Sequence, residues 1–164
     1  LGGAVATSGN LIVAGAHQED AEAGAVYVFM TVDGGATWAQ VAKVTAAGAT
    51  AGDHFGVAVA VDGALLVAGA QHAGPGDARE GAVYIFRTAN NGFTWTQVRE
   101  ITARDAAADD RFGAAVAIAG NLVAVGSKYD DDGSSASGSV YLFETSDGGA
   151  TWYEIVKLRA SDAA

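Results

Sequence analysis

The chain has 164 residues, with 23 Gly, one Pro, one Met and no Cys, and 19 acidic against 9 basic residues give a formal net charge of −10. Without thiols there is no disulfide framework and no Cys-based zinc site, and no apolar run nears the roughly 18 residues of a membrane span. Val, Tyr, Phe and Trp recur too often for a disordered chain, and the acidic balance repels phosphate backbones, which excludes nucleic acid as the expected partner.

The chain opens at Leu1 without an initiator Met, a basic segment or a signal-type apolar run, so it reads as a processed product or part of something longer. Its first elements are a short apolar stretch around Ala4-Val5, a turn at Ser8-Gly9-Asn10 and a second run, Leu11-Ile12-Val13-Ala14-Gly15. A polar loop leads to Val26-Tyr27-Val28-Phe29, whose alternation suits a strand. Asp33-Gly34-Gly35 signals a hairpin, and a fourth run starts at Trp38 and ends in Lys43-Val44-Thr45. That run does not alternate cleanly, which predicts a bulge.

The same grammar then returns twice. Trp38, Trp95 and Trp152 lie 57 residues apart, as do the Val-Tyr-x-Phe tetrads beginning at Val26, Val83 and Val140. Phe55-Gly56 and Phe112-Gly113 keep that interval, and Leu1-Gly2 holds the equivalent place. The units are 1–54, 55–111 and 112–164. Four short strands repeated as a block predict an all-β fold of β-propeller blades: three four-stranded antiparallel repeats. Ala4, Ala58 and Ala115 beside Val5, Val59 and Val116 suit an inner strand near a crowded axis. Closed propellers use four to eight blades, so three are expected to form part of a larger ring, completed by other blades of the same chain or by a second copy.

The unit resembles the FG-GAP repeat, the blade of integrin α-subunit propellers and of many surface proteins. Phe55, Gly56, Phe112 and Gly113 match its Phe-Gly pairs, with Asp53 and Asp110 two residues upstream. Gly15-Ala16, Gly69-Ala70 and Gly126-Ser127 stand at its Gly-Ala-Pro position without the Pro. A second likeness lies between the third and fourth runs. Thr31 to Trp38 and Thr145 to Trp152 resemble the Asp-box of sialidases, with Asp33 and Asp147 as the aspartates; Asn90 replaces the Asp before Trp95. In those families the box is structural, so Asp33, Trp38, Trp95, Asp147 and Trp152 are read as structural residues. The resemblance implies a non-enzymatic scaffold, extracellular or on the cell surface, for adhesion or assembly through protein or glycan contacts. The alternative it offers is a carbohydrate-binding or glycoside-processing propeller.

Integrin-type blades hold Ca²⁺ in an acidic loop between their first two strands. Here those connections are too short to supply the 6–8 oxygens calcium prefers. The candidate cation ligands are instead Asp130 and Asp132 in Tyr129-Asp130-Asp131-Asp132-Gly133, set against a reading as a solvated acidic turn. Asp109-Asp110 reads as a solvated approach to the next blade, with a capping role for Asp110. His17, His54 and His72 lack metal-ligand spacing, and His17 and His72 are expected to be exposed. No catalytic residues are assigned: the arginines are scattered, and Glu100 and Glu154 fall on outermost strands. The expected binding surfaces are the variable loops after the second strands, residues 17–23, 71–80 and 128–137.

Overall fold

A computed structural model describes residues 1–76, 78–131 and 137–161. It contains three four-stranded antiparallel sheets, each with its strands in chain order. The first is β1 (Val5–Ser8), β2 (Leu11–Ala16), β3 (Ala25–Met30) and β4 (Ala39–Val44). The second is β5 (Phe55–Asp62), β6 (Leu65–Ala70), β7 (Ala82–Arg87) and β8 (Thr96–Ile101). The third is β9 (Phe112–Ala119), β10 (Leu122–Ser127), β11 (Ser139–Glu144) and β12 (Tyr153–Leu158). The first strands of successive sheets lie against each other, β1 on β5 and β5 on β9. The small alanines of these strands permit that approach.

Turn chemistry sets the sheet geometry. Ser8 pairs Leu11, Asp62 pairs Leu65 and Ala119 pairs Leu122, so each first hairpin turns on two residues. Gly9, Gly63 and Gly120 adopt φ of 57°, 54° and 57° there, the left-handed conformation that two-residue hairpins require. The fourth strand bulges as its irregular pattern predicts. Val28 faces Ala42 but Phe29 faces Gln40, and the same slip follows Ile85 and Leu142. The extra residue is Val41, Val98 or Ile155.

Two apolar interfaces hold the blades together. The first joins Val13, Val26, Val28 and Val44 of blade 1 to Phe55, Val59, Leu66 and Phe86 of blade 2. The second joins Val67, Val83, Ile85 and Ile101 of blade 2 to Phe112, Val123, Tyr141 and Phe143 of blade 3. Each blade thus has a leading face, carrying the Phe of Phe-Gly, and a trailing face rich in Val and Ile. Phe55 meets Tyr84 and Phe86 edge-on at 5.7 and 5.8 Å, and Phe112 meets Tyr141 and Phe143 at 5.3 and 6.0 Å. Burying one such ring stabilises by about 1.5–3 kcal/mol, with edge-to-face geometry adding to that.

Glycines at the seam explain the repeat's other fixed letters. A Cβ on Gly15 would lie 1.9 Å from the Gly56 carbonyl oxygen, and one on Gly69 equally close to that of Gly113. Gly56 and Gly113 themselves sit at φ of 83° and 86°. Only glycine allows this contact.

Helix is confined to one hydrogen-bonded turn at Glu19–Glu22 among the described residues, left-handed at Asp20 and Ala21 with φ of 51° and 56°.

Candidate functional site

Two ends of the blades carry the connecting segments. At one, the connection between second and third strands meets the segment linking one blade to the next. The N–H groups of Gly52, His54 and Phe55 donate to the carbonyls of Ala21, Glu22 and Ala23. Those of Asp109, Arg111 and Phe112 donate to Ala78, Arg79 and Glu80. These bonds tie the loop of one blade to the approach of the next. Asp53 and Asp110 cap those approaches: Asp53 accepts from the Thr50 N–H at 2.7 Å, and Asp110 from the Ala107 N–H at 2.8 Å. Both are buried, so the solvated reading of Asp110 is corrected and its capping role is what the geometry shows. Asp109 is exposed.

The histidines also differ from expectation. His17, His54 and His72 are half-buried and form a row, with ring centroids 5.5 Å and 4.1 Å apart. The row arises because loop and approach segments of neighbouring blades interleave. His54 Nε2 lies 3.1 Å from a Glu22 carboxylate oxygen. Desolvation lowers the pKa of His72, with the charges of His54, Arg111 and Arg79 acting in the same direction. Arg111, one repeat after His54, stacks on Tyr129 at 4.7 Å, and Lys128 approaches the same ring at 4.9 Å.

Asp130 is not part of a solvated turn. It is buried against Ser139 and Tyr141 of β11 and Lys157 of β12. Ser139 donates to one carboxylate oxygen at 3.0 Å, while the Tyr141 hydroxyl and Lys157 Nζ lie 2.6 and 2.7 Å from the other. Lys157 also bridges to Asp105 at 2.8 Å. Burial opposes the charge on Asp130, but Lys157, Tyr141 and Ser139 outweigh it and the pKa falls. Burial likewise opposes Asp105, whose bonds to Lys157 and Tyr141 still hold it at about 2. Both Asp130 oxygens therefore face donors from β11 and β12. Asp132 lies outside the described residues. Among those described, no three His, Asp or Glu converge as metal ligands would.

Tyr141 has the look of a buried nucleophile but the opposite electrostatics. Burial and the adjacent Asp130 push its phenol far up, so it stays protonated and acts as a donor. Sequence reasoning missed this cluster although its signal was present. Tyr27, Tyr84 and Tyr141 pair directly across the sheet with Lys43, Glu100 and Lys157. In blade 1, Glu19 accepts from Tyr27 and pairs with Lys43; in blade 2, the acid is Glu100 itself, 3.5 Å from Tyr84.

At the other end are the hairpins between third and fourth strands. Thr31 and Thr37 bond Asp33 at 2.8 and 2.5 Å, and Thr145 and Thr151 bond Asp147 at 2.8 and 2.6 Å. The threonine hydroxyl and amide at 37 and at 151 lead in lowering both aspartates to about 2. Asn90 reproduces the backbone bond, to the Thr94 N–H at 2.9 Å. The tryptophans behave unequally. Trp95 and Trp152 donate to the carbonyls of Gly92 and Gly149 at 3.0 Å and pack toward the preceding blade. Trp152 is 6% exposed, but Trp38, with no described blade before it, is 41% exposed. Trp38 therefore keeps more of its surface in solvent than Trp95 or Trp152.

Three radially stacked sheets of this kind are β-propeller blades. The chain is similar to Sqt1 of Saccharomyces cerevisiae, with a TM-score of 0.56 at 9% identity, over 98% of this chain and 35% of that one. It spans about a third of Sqt1, and the likeness shows the fold alone. The sequence matches the FG-GAP repeat over residues 1–29, 38–86 and 95–143, more than half of its length, and the protein belongs to that family. The second and third matched segments run from one blade's fourth strand into the next blade's first three, so each spans a blade seam, while the first covers β1, β2 and most of β3. No match was found among curated proteins.

Proposed function

We propose that this is a non-catalytic FG-GAP scaffold, acting outside the cell or at its surface, which binds protein or glycan through the loops at one end. The carrying observation is that loops of unequal length, beginning at residues 17, 71 and 128, share that end with the blade approaches. The hydrogen bonds between them give variable side chains a rigid mount. The Asp33 and Asp147 hairpins at the opposite end spend their carboxylates on their own turns, as Asp-boxes do. The glycan option is favoured by the rings of His17, His54, His72 and Tyr129 along the loop end, beside Arg111 and Lys128. Against glycoside processing stands Tyr141, which is buried and held protonated. Binding to a glycan array and a panel of matrix proteins, with calcium and with chelator, tests the reading. Replacing one loop at a time by Gly-Ser should abolish the signal. Turnover of a chromogenic glycoside by the native chain would overturn it.

A further inference from the structure

The Tyr–Lys pairs of blades 1 and 3 have a counterpart in blade 2 that lacks its cation. In blade 1, Lys43 meets Glu19 beside Tyr27, with Nζ 5.7 Å from the ring centroid. In blade 3, Lys157 bridges Asp105 and Asp130, with Nζ 5.0 Å from the centroid of Tyr141. Each time a third-strand tyrosine, an acid and a fourth-strand ammonium come together. In blade 2 the residue opposite Tyr84 is Glu100. The position that supplies an ammonium in both neighbours supplies a carboxylate here.

The space changes with the charge. Gly48 and Ala73 stand one repeat of 57 residues before Asp105 and Asp130. They line a cavity of about 340 Å³ at the loop end, together with Asp53, Glu80, Tyr84 and Glu100. Among the described residues no Lys, Arg or His lines it. Tyr84 is 4% exposed, yet its hydroxyl lies 3.5 Å from Glu100, beyond the 2.5–3.0 Å of an O–H···O bond. The Tyr141 hydroxyl, by contrast, has carboxylate oxygens at 2.6 and 2.9 Å. A buried hydroxyl without a close partner is costly. Burial raises the pKa of Tyr84, and the charges of Glu100 and Asp53 add to it, which marks a negative field around the phenol. Asp53 spends its oxygens on the amide and hydroxyl of Thr50, and no three described acids or histidines converge as metal ligands would. The cavity therefore suits an organic cation on a stem better than a metal ion.

We infer that blade 2 takes its ammonium from outside: a lysine side chain of a partner protein enters the cavity and sets its Nζ between Glu100 and Tyr84, completing the trio that Lys43 and Lys157 complete in blades 1 and 3. The inference rests on the loop end being a binding surface and names the chemistry it takes there. Lysine is favoured over other cations because lysines fill the same place twice in this fold, each beside a tyrosine ring.

Titration of the isotope-labelled chain with Nα-acetyl-lysine methylamide, followed by amide NMR, tests this. In about 0.1 M salt a Debye length of about 10 Å screens the general attraction of the −10 charge. Saturable shifts are expected at Gly48, Gly74, Gly81 and Thr102, with half-saturation on the order of 1 mM. The same compound acetylated at Nζ should give none. Glu100→Gln should weaken binding about tenfold, and Glu100→Lys should abolish it. Glu100 is exposed, so both variants should keep the native circular dichroism. No saturable shift up to about 50 mM, equal shifts from the Nζ-acetylated compound, or a response indifferent to Glu100→Gln would overturn the inference. So would tighter binding of glucosamine, or the same shifts produced by Ca²⁺ at lower concentration. Binding on the glycan and matrix-protein arrays with no response to the lysine compound overturns this inference alone. The reverse result overturns the choice of partners on the arrays and leaves the ligand of the cavity in place.

Discussion

At the scale of single residues, burial decides which charges this protein tolerates. His72 sits beneath neighbouring loops, and desolvation together with His54, Arg111 and Arg79 disfavours its protonated form. Its folded pKa is thus below the value of 6.5 it has in an unfolded chain. The unfolded state binds more protons below that value, so stability must fall with pH. Thermal midpoints should drop between about pH 7 and pH 5, and His72→Gln should flatten that slope; an unchanged slope would refute the assignment. Asp105 and Asp147, both held at about 2, contribute stability above the ordinary carboxylate pKa. They lose it only as pH falls from about 4 to about 2, so they leave the His72 window clear. The row of histidines could not be read from the letters, since His17, His54 and His72 come from three separate loops. The Tyr–Lys pairs could have been: their spacing is the blade repeat itself.

At the scale of elements, the first strand carries the adhesion between blades. Phe112 opens β9, is completely buried, and touches two rings of its own blade while filling the seam with blade 2. Phe112→Ala removes the whole ring from a site whose walls are strands, which cannot collapse into the void. A loss of about 3–5 kcal/mol is expected, measurable as a lower midpoint in urea with blade 3 affected most. A loss under about 1 kcal/mol would show that the seam adapts. The four-strand grammar, the two-residue turns and the bulge after Trp were all legible, because hairpin chemistry is local. The left-handed turn at Glu19–Glu22 was not. It depends on the bonds from Tyr27 and Lys43 to Glu19 and from blade approach to loop.

For the whole molecule, stability follows blade position. In stacked repeats each unit is held by its neighbours, and among the described residues blade 2 alone has both faces covered. Amide exchange in dilute solution should therefore be slowest in β5–β7 and fastest in β1 and β12. Uniform protection across the three blades at low concentration would contradict a nearest-neighbour account. The unequal burial of Trp38 and Trp152, residues of the same type at the same place in their repeats, has the same origin.

The amino-acid sequence determined the blade. Period, turn residues, alternation and the Phe-Gly and Gly-Ala letters are local or internally repeated, and each constrains hairpins a few residues apart. It also determined the seam: the glycines that let one blade's carbonyl approach the next are visible as a repeat before their purpose is. The tertiary structure alone decided which carboxylates are exposed. It placed Asp130 beneath Tyr141 and Lys157 and Asp110 under a turn, and drew the histidines into a row. Those outcomes depend on which loop meets which approach across a seam, a pairing between segments tens of residues apart that no local pattern encodes.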